Sequence, residues 1–286
     1  MEIQRVGVVG CGLMGSGIAE AAARAGLDVR VVDLDQASLE RGRERISSSI
    51  ARAQKAGKLS EPDAGAALAR IGYSADIGSL SDRQLVIEAV VELEAEKVSV
   101  FETLDKVVVA PDAVLASNTS SIPIMKLAMA TGRPSQVIGI HFFNPVPVLP
   151  LVELVTSLLT SDDTVQTAQR FATEQLGKQV IRSQDRAGFI VNALLIPYIL
   201  SAVRMLESGF ATADDIDLGM VKGCAHPMGP LALADLIGLD TTMAIANSLY
   251  EEFKEPLYAP PPLVARMVEA GLLGRKSGRG FYDYKA

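Results

Sequence analysis

Apolar and polar positions follow two alternating patterns along residues 1–186. Short runs rich in Val and Ile, typical of buried strands, are separated by longer segments of helix-forming residues. This alternation is typical of a doubly wound α/β sheet, in which helices cover both faces of parallel strands. The apolar runs predict strands at residues 3–10, 28–33, 85–88, 114–117, 137–141, 151–155 and 179–182.

Two segments depart from this alternation. Residues 36–70 carry helix formers and scattered arginines and lysines, and they predict two helices joined near Gly57 and Ser60. This helical hairpin would be an insertion after the second strand, and long insertions in compact domains are often functional. Beyond the last predicted strand the β-rich runs stop, and the chain predicts helices separated by Gly and Pro. We therefore expect a sheet domain of residues 1–186 and an all-α domain of residues 187–286.

The bulk composition is that of a globular chain. The 286 residues are 49% hydrophobic and 21% charged, and the formal net charge of −7 argues against nucleic acid as a partner. Cys11 and Cys224 form no CxxC pair and indicate neither a disulfide framework nor a metal site. The most apolar later stretch, residues 190–206, is interrupted by polar residues, and no signal-peptide pattern precedes the first strand. We expect a cytoplasmic chain with no membrane partner and no bound metal.

A Gly-x-Gly-x-x-Gly motif follows the first predicted strand and precedes a helix predicted over residues 16–25. In a dinucleotide site, the first glycine permits a tight turn, the second lets the backbone approach a pyrophosphate, and the third lets helix and strand pack closely. The N–H groups at the start of the helix attract phosphates. The motif predicts a Rossmann-type dinucleotide site, although a strand–turn–helix with incidental glycines has the same pattern. The expected contact residues are Gly10, Gly12, Leu13, Met14 and Gly15.

Asp33 ends the second predicted strand, where an acidic residue hydrogen-bonds the adenosine ribose of a dinucleotide. Its carboxylate would repel a 2′-phosphate, and the next residue, Leu34, is not an arginine. We therefore expect NAD rather than NADP as the cofactor.

Hydride transfer to NAD requires a base that takes the hydroxyl proton, and the chain has two histidines, His141 and His226. His141 ends a predicted strand, at the edge where doubly wound sheets bind ligands. Glu153 interrupts a later apolar run, where a carboxylate needs a partner, and it could orient His141 if its strand returns to the same crevice. His226 precedes a proline in a helical connection and is expected to be structural. Either His141 or Glu153 could equally be a satisfied polar group, and Ser120 a helix N-cap.

Seven short motifs together resemble the 3-hydroxyacyl-CoA dehydrogenase family, particularly its short bacterial 3-hydroxybutyryl-CoA dehydrogenases. The resemblance runs nearly from end to end, and the motifs are specific in combination. They are Gly-Cys-Gly-Leu-Met-Gly at 10–15, Glu-Ala-Val-Val-Glu at 88–92, Ala-Ser-Asn-Thr-Ser-Ser at 116–121, His-Phe-Phe-Asn-Pro at 141–145, Gly-Phe-Ile-Val-Asn at 188–192, Pro-Met-Gly-Pro at 227–230 and Gly-Arg-Gly-Phe-Tyr at 278–282.

The resemblance implies a role for each candidate residue. His141 would be the general base and Glu153 its partner, while Ser120 and Asn192 would hydrogen-bond the reacting oxygen and the catalytic histidine. Ser120 would also approach the thioester of the substrate. The residues that would line the NAD site are Glu92, Lys97, Asn144 and Lys276. The hairpin resembles the CoA-binding insertion of the family, and its candidate CoA contacts are Ser49, Lys55 and Lys58.

The implied activity is the reversible, NAD-dependent oxidation of an (S)-3-hydroxyacyl-CoA thioester, with 3-hydroxybutyryl-CoA as the expected substrate. The resemblance also implies a homodimer whose helical domain, residues 187–286, closes the substrate cleft. One alternative is a dehydrogenase of a free hydroxy acid or sugar acid on the same scaffold. Another is a non-enzymatic, crystallin-like NAD-binding protein, which would not need Ser120, His141, Glu153 and Asn192.

Overall fold

The computed structural model describes residues 2–285, which form two compact units divided between Arg186 and Ala187. The first unit is built on one eight-stranded sheet in the order β3-β2-β1-β4-β5-β6-β7-β8. The strands are β1 (Arg5–Val9), β2 (Asp28–Val32), β3 (Ile71–Ser74), β4 (Leu85–Glu88), β5 (Val114–Ser117), β6 (Val137–Phe142), β7 (Leu151–Thr156) and β8 (Gln179–Gln184). This arrangement confirms the predicted doubly wound α/β sheet.

The middle of the sheet is buried on both faces. Every residue of β4, β5 and β6 is buried, which explains why these strands read as continuous apolar runs rather than as alternating ones. The strand order reverses between β1 and β4, which both pair in parallel with their neighbours. A crevice at the carboxyl ends of the strands, at such a reversal, is where open α/β sheets bind ligands.

Helices cover this sheet, and two of them form the predicted hairpin. Asp35 caps the first hairpin helix by accepting from the Ser38 N–H at 2.7 Å, and Ser60 caps the second by accepting from the Asp63 N–H at 3.2 Å. The prediction of two helices joined near Gly57 and Ser60 is therefore confirmed. The helices of this unit are α1 (Leu13–Arg24), α2 (Gln36–Lys55), α3 (Glu61–Ala69), α4 (Glu94–Val107), α5 (Ile124–Met129) and α6 (Asp162–Arg170), with shorter helical turns at Ile77–Leu80, Pro134–Gln136 and Phe171–Gln175.

Three details of the sheet unit differ from the sequence-based expectations. Helix α1 begins at Leu13 and not at residue 16, because Gly12 is its N-cap and Gly15 lies inside the first turns. Strand β3 was not predicted. Strand β7 runs antiparallel to β6, against the expectation of a parallel sheet throughout, and β8 pairs in parallel with β7.

The second unit is helical, as predicted. Its buried aspartates satisfy backbone groups: Asp217 accepts from the N–H groups of Leu231 and Ala232 at 2.8 and 2.9 Å, at the start of a helix. No helix within residues 2–285 is long and apolar enough to cross a membrane. The helices are α7 (Val191–Glu207), α8 (Ala213–Gly223), α9 (Pro230–Ile237), α10 (Leu239–Phe253) and α11 (Pro262–Glu269), with a short turn at Arg275–Ser277.

Candidate active site

The glycine loop between β1 and α1 has the backbone geometry that its motif predicts. Gly10 has a φ of +96°, and a Cβ there would lie 2.6 Å from the Ala89 carbonyl oxygen. A Cβ on Gly15 would overlap the carbonyl of Gly10, so only glycine allows α1 to pack this closely on the loop. A Cβ on Gly12 would meet nothing within 4 Å, which leaves open space above the loop.

The start of α1 faces this open space with free donors. Its N-cap is Gly12, and no side chain caps its first N–H groups. Leu13 is 62% exposed and Met14 is half-buried at the same helix end. Uncapped N–H groups and the helix dipole together make a site for an anion. The loop therefore fits the pyrophosphate of a dinucleotide.

Asp33 follows β2 and fixes the glycine loop. Its Oδ2 accepts from the Cys11 N–H at 2.6 Å, and its Oδ1 accepts from the Leu34 N–H at 2.7 Å. Each carboxylate oxygen can accept a second hydrogen bond, so both remain available to ribose hydroxyls. The half-buried carboxylate thus combines a structural contact with the acceptor that the predicted NAD site requires.

His141 and Glu153 are direct cross-strand partners in the antiparallel pair β6–β7. Side chains of opposed residues on one face lie close together, and here His141 Nδ1 is 2.7 Å from Glu153 Oε2. His141 is 4% exposed and Glu153 is 0% exposed. With the carboxylate ionised, Nδ1 carries the ring proton and donates a hydrogen bond to Glu153, so Nε2 is the ring nitrogen that can accept a proton.

Ser120 lies on the other side of the imidazole. Its Oγ is 3.2 Å from His141 Nε2. Asn118, two residues earlier, accepts from the Phe142 N–H at 2.9 Å and so joins the loop after β5 to the end of β6. Three of the four predicted catalytic residues therefore lie together in the sheet unit, in the order Ser120, His141, Glu153.

An ionic cluster of Glu88, Lys97 and Glu92 contacts the Ser120 loop. Glu92 Oε1 accepts from the N–H groups of Ser120 and Ser121 at 2.8 and 3.1 Å, and its Oε2 is 3.3 Å from Lys97 Nζ. Lys97 is 1% exposed and pairs with Glu88, which is 0% exposed, at 2.5 Å. Burial by itself raises the pKa of Glu92, but the Lys97 ammonium and the hydrogen bonds from the loop outweigh it and hold the pKa below its usual value.

Sequence reasoning did not assign a function to Glu88. The signal was present, because Glu88 ends an otherwise apolar strand in the same way that Glu153 interrupts one. A carboxylate in such a run needs a buried partner. The partner here is Lys97, nine residues further along the chain.

The hairpin contributes one wall of a cleft of about 510 Å³. Ser49 and Asn144 both line this cleft, together with Arg45 and Arg52 of α2. Arg45 also donates to the Cys11 carbonyl at 3.1 Å, which joins the hairpin to the glycine loop. The other candidate CoA contacts, Lys55 and Lys58, are exposed at the end of α2 and in the turn after it, and they do not line the cleft.

The remaining predicted site residues belong to the helical unit. Asn192 is 8% exposed in the first turn of α7. Lys276 Nζ lies 2.6 Å from Asp240 Oδ2. His226 Nδ1 is 3.1 Å from the Tyr198 hydroxyl. The catalytic role expected for Asn192 and the NAD contact expected for Lys276 stay predictions. Among residues 2–285, no three His, Cys, Asp or Glu side chains are grouped as metal ligands would be.

The sheet, the glycine loop with Asp33, and the His–Glu pair define an NAD-dependent dehydrogenase of the Rossmann class. Comparison with known families then narrows the class. Residues 5–186 match the 3-hydroxyacyl-CoA dehydrogenase NAD binding domain, and residues 188–284 match the C-terminal domain of the same family. The chain therefore belongs to the 3-hydroxyacyl-CoA dehydrogenase family, as the sequence motifs predicted.

Individual relatives are similar over the full length of the chain. A 3-hydroxybutyryl-CoA dehydrogenase of Mycobacterium tuberculosis is 61% identical over 282 residues, which cover 99% of both chains. The crystal structure of M. tuberculosis FadB2 superposes with a TM-score of 0.98 at 60% identity, and it covers 99% of this chain and 100% of that one. The crystal structure of (S)-3-hydroxybutyryl-CoA dehydrogenase PaaH1 from Ralstonia eutropha gives a TM-score of 0.94 at 47% identity, with both chains fully covered.

Proposed function

We propose that this enzyme oxidises the 3-hydroxyl group of (S)-3-hydroxybutyryl-CoA to the ketone of acetoacetyl-CoA, reversibly and with NAD. The observation that carries the proposal is the buried His141–Glu153 pair, with the Ser120 hydroxyl 3.2 Å from the other ring nitrogen, Nε2. The names of the M. tuberculosis and R. eutropha relatives support a four-carbon acyl group and the (S) configuration.

The geometry supports a single proton transfer through His141. Glu153 accepts a hydrogen bond from Nδ1 and holds the ring so that Nε2 faces Ser120. Nε2 takes the proton of the substrate 3-hydroxyl, and the Ser120 hydroxyl donates to the same oxygen. When bound, NAD supplies the acceptor for the hydride that leaves C3. Glu153 stabilises the imidazolium that forms, and in the reverse direction His141 returns the proton to the 3-keto oxygen.

We further propose that the hairpin binds the CoA part of the substrate through Ser49, Lys55 and Lys58. The cleft supports the assignment of Ser49, which lines it, and it adds Arg52 as a cation for a CoA phosphate. Replacement of Arg52 by Ala should raise KM for acetoacetyl-CoA about fivefold with kcat unchanged, since a partly exposed charge contact is worth about 1 kcal/mol. An unchanged KM would contradict a phosphate contact at Arg52.

We also infer a homodimer that assembles through residues 187–286. Large apolar side chains on the surface of this unit support the inference: Leu194 is 73% exposed, Phe210 79% and Leu218 56%. Sedimentation of the purified chain should show a dimer, and Leu194→Glu should weaken it. A monomer at micromolar concentration would refute the inference.

The cytoplasm is the proposed compartment. Both cysteines are free thiols, Cys11 buried and Cys224 exposed, which fits a reducing environment. Fractionation of the source cells tests this placement, and recovery of the enzyme outside the cytoplasmic fraction would refute it.

The experiment that tests the main proposal follows NADH absorbance with acetoacetyl-CoA and, in parallel, with free acetoacetate. Oxidation of NADH with the thioester but not with the free acid is the expected result. Activity with the free acid alone would refute the thioester substrate and identify a hydroxy-acid dehydrogenase. If the chain binds NADH but oxidises it with neither compound, the proposed substrate is refuted. A substrate with a longer acyl chain, or a non-enzymatic protein, is then favoured.

A further inference from the structure

Glu88 is a fully buried carboxylate outside the proposed proton path, and both of its oxygens are occupied. At the carboxyl end of β4, its Oε1 accepts from Lys97 Nζ at 2.5 Å and from the Val90 N–H at 2.7 Å. Its Oε2 accepts from the Ser117 hydroxyl at 2.6 Å. One side chain thus ties together the ends of β4 and β5, the loop after β4, and helix α4. Glu88 itself is 0% exposed, so it is not a surface group that meets ligands.

Lys97 carries this connection toward the reacting groups. Its ammonium is shared between Glu88 Oε1 at 2.5 Å and Glu92 Oε2 at 3.3 Å. The shorter distance shows that Glu88 holds the cation more closely. Lys97 and Glu88 are buried, whereas the Glu92 side chain is 37% exposed, so the charge of Glu88 is the less screened of the two. The balance between the two carboxylates sets where the ammonium lies.

Glu92 in turn holds the loop that carries Ser120. Its Oε1 accepts from the Thr119 hydroxyl at 2.5 Å, from the Ser120 N–H at 2.8 Å and from the Ser121 N–H at 3.1 Å. These donors belong to three consecutive residues, so a shift of the Glu92 carboxylate moves the loop as a whole. The loop places Ser120 Oγ 3.2 Å from His141 Nε2.

We propose that Glu88 is a positioning residue for the dehydrogenation: through Lys97 and Glu92 it fixes Ser120 opposite the Nε2 atom of His141. The inference rests on the proposed function, because it assigns Ser120 to the reaction. Without the charge of Glu88, the Lys97 ammonium is drawn toward Glu92 Oε2, the Glu92 carboxylate turns, and its Oε1 leaves the loop donors. Small displacements of this kind cost rate rather than binding when they misalign a group that acts on the reacting atoms.

A double-mutant cycle on kcat tests this chain of contacts. Glu88→Gln and Ser120→Ala are made singly and together, and turnover of acetoacetyl-CoA is measured with the Kd of NADH from its fluorescence. Glu88→Gln should lower kcat about tenfold in the parent enzyme, because Ser120 is misplaced. In the Ser120→Ala background it should change kcat by less than about twofold, since the group that it positions is already absent. The Kd of NADH should stay within about threefold of the parent value in both backgrounds.

Glu94→Gln is the matched control. Glu94 begins α4 and pairs with Lys126 at 2.6 Å, but both side chains are 52% exposed, so this ion pair is on the surface. Its removal should change kcat by less than about twofold in both backgrounds, as is usual for an exposed pair. If Glu88→Gln does not fold, Glu88→Asp takes its place in the cycle, because the shorter side chain withdraws the carboxylate from Lys97 Nζ and from the Ser117 hydroxyl.

Each outcome separates this inference from the proposed function. If Glu88→Gln lowers kcat by the same factor in the parent and in the Ser120→Ala background, Glu88 acts independently of Ser120. That result would overturn the inference and leave the proposed function intact. A rise in the Kd of NADH that matches the loss of kcat would overturn it as well, since Glu88 would then act on cofactor binding. A parent enzyme that does not turn over acetoacetyl-CoA would overturn the proposed function, and this inference with it.

Discussion

Replacement of Glu153 by Gln is the sharpest test of the proposed proton transfer. The two side chains have nearly the same shape, so the substitution removes charge and leaves the packing of β7 in place. Glu153 is 0% exposed and lies 2.7 Å from His141 Nδ1, and the strand register holds the two residues opposite each other. The variant retains an amide oxygen that can accept a hydrogen bond from Nδ1, but it cannot offset a positive charge on the ring.

The size of the effect follows from the distance between the charges. Oxidation of the alcohol places a proton on His141, and the centres of the imidazolium and carboxylate charges then lie about 4 Å apart. At an effective dielectric constant of about 20, such a pair gains about 4 kcal/mol. Because each 1.36 kcal/mol changes a rate about tenfold, loss of this stabilisation should lower kcat about a thousandfold. Little of the effect is lost to solvent screening, since both side chains are buried.

The assay should follow NADH formation from (S)-3-hydroxybutyryl-CoA and NAD, the direction in which the imidazolium forms. The Kd of NAD and the thermal unfolding midpoint should be measured on the same variant, to show that the fold and the cofactor site persist. Glu102→Gln, an exposed carboxylate on α4, is the matched control and should leave kcat unchanged. A loss of less than about tenfold for Glu153→Gln in a folded variant would refute the electrostatic role of Glu153.

Three further substitutions test the base, the cofactor preference and the packing of the hairpin on the glycine loop. His141→Gln should lower kcat by about a hundredfold or more and spare NAD affinity, as measured by turnover and NADH fluorescence, and near-normal turnover would refute the assignment of the base. Asp33→Ala should weaken NADH binding and reduce the preference for NADH over NADPH, as measured by paired titrations. An unchanged preference would mean that Asp33 does not contact the ribose. Gly42→Ala should lower the free energy of unfolding by about 1–3 kcal/mol and weaken NADH binding, because its Cβ would overlap Cys11 Sγ. Gly65→Ala, with nothing within 4 Å of its Cβ, is the control, and equal stability losses in denaturant titrations of the two variants would refute the packing argument.

The strands that could be predicted are those whose physical environment leaves a clear pattern. Strands β4, β5 and β6 are buried on both faces and therefore appear as uninterrupted apolar runs. Strand β3 was not predicted because it lies at the edge of the sheet, has only four residues and is mostly half-buried. Its residues, Ile71–Ser74, therefore show neither an apolar run nor a clear alternation of apolar and polar positions.

The antiparallel direction of β7 could have been predicted from the sequence. Residues 143–150 join β6 to β7, and these eight residues are too few for the crossover that parallel neighbours require. The short connection alone indicates an antiparallel return. That return is what places Glu153 directly opposite His141, so connection length carries information about the site as well as about the fold.

The residues of the candidate site also differ in whether the sequence alone could predict them. His141 and Glu153 could be found because each departs from a local apolar pattern. The contacts of Glu92 with the Ser120 loop could not, because they join segments that are 28 and 29 residues apart in the chain and depend on where α4 and β5 end in space. For Ser49, Lys55 and Lys58 the sequence gives only a cluster of polar and basic helix residues, and the structure brings only Ser49 into the cleft.

Two carboxylates with 0% exposure, Glu88 and Glu153, favour an enzyme over a structural protein. Burying a charge costs several kcal/mol, and a buried ion pair is often no more stabilising than apolar side chains of the same volume. Strands β4 and β7 are otherwise apolar at their buried positions, so apolar side chains in place of each glutamate and its partner would serve the fold about as well. Stability therefore does not explain these residues. What both share is a polar partner that leads to the imidazole of His141, directly for Glu153 and through Lys97, Glu92 and the Ser120 loop for Glu88. Charges placed in this way serve to hold a proton-transfer group in position, which a scaffold without chemistry would not require.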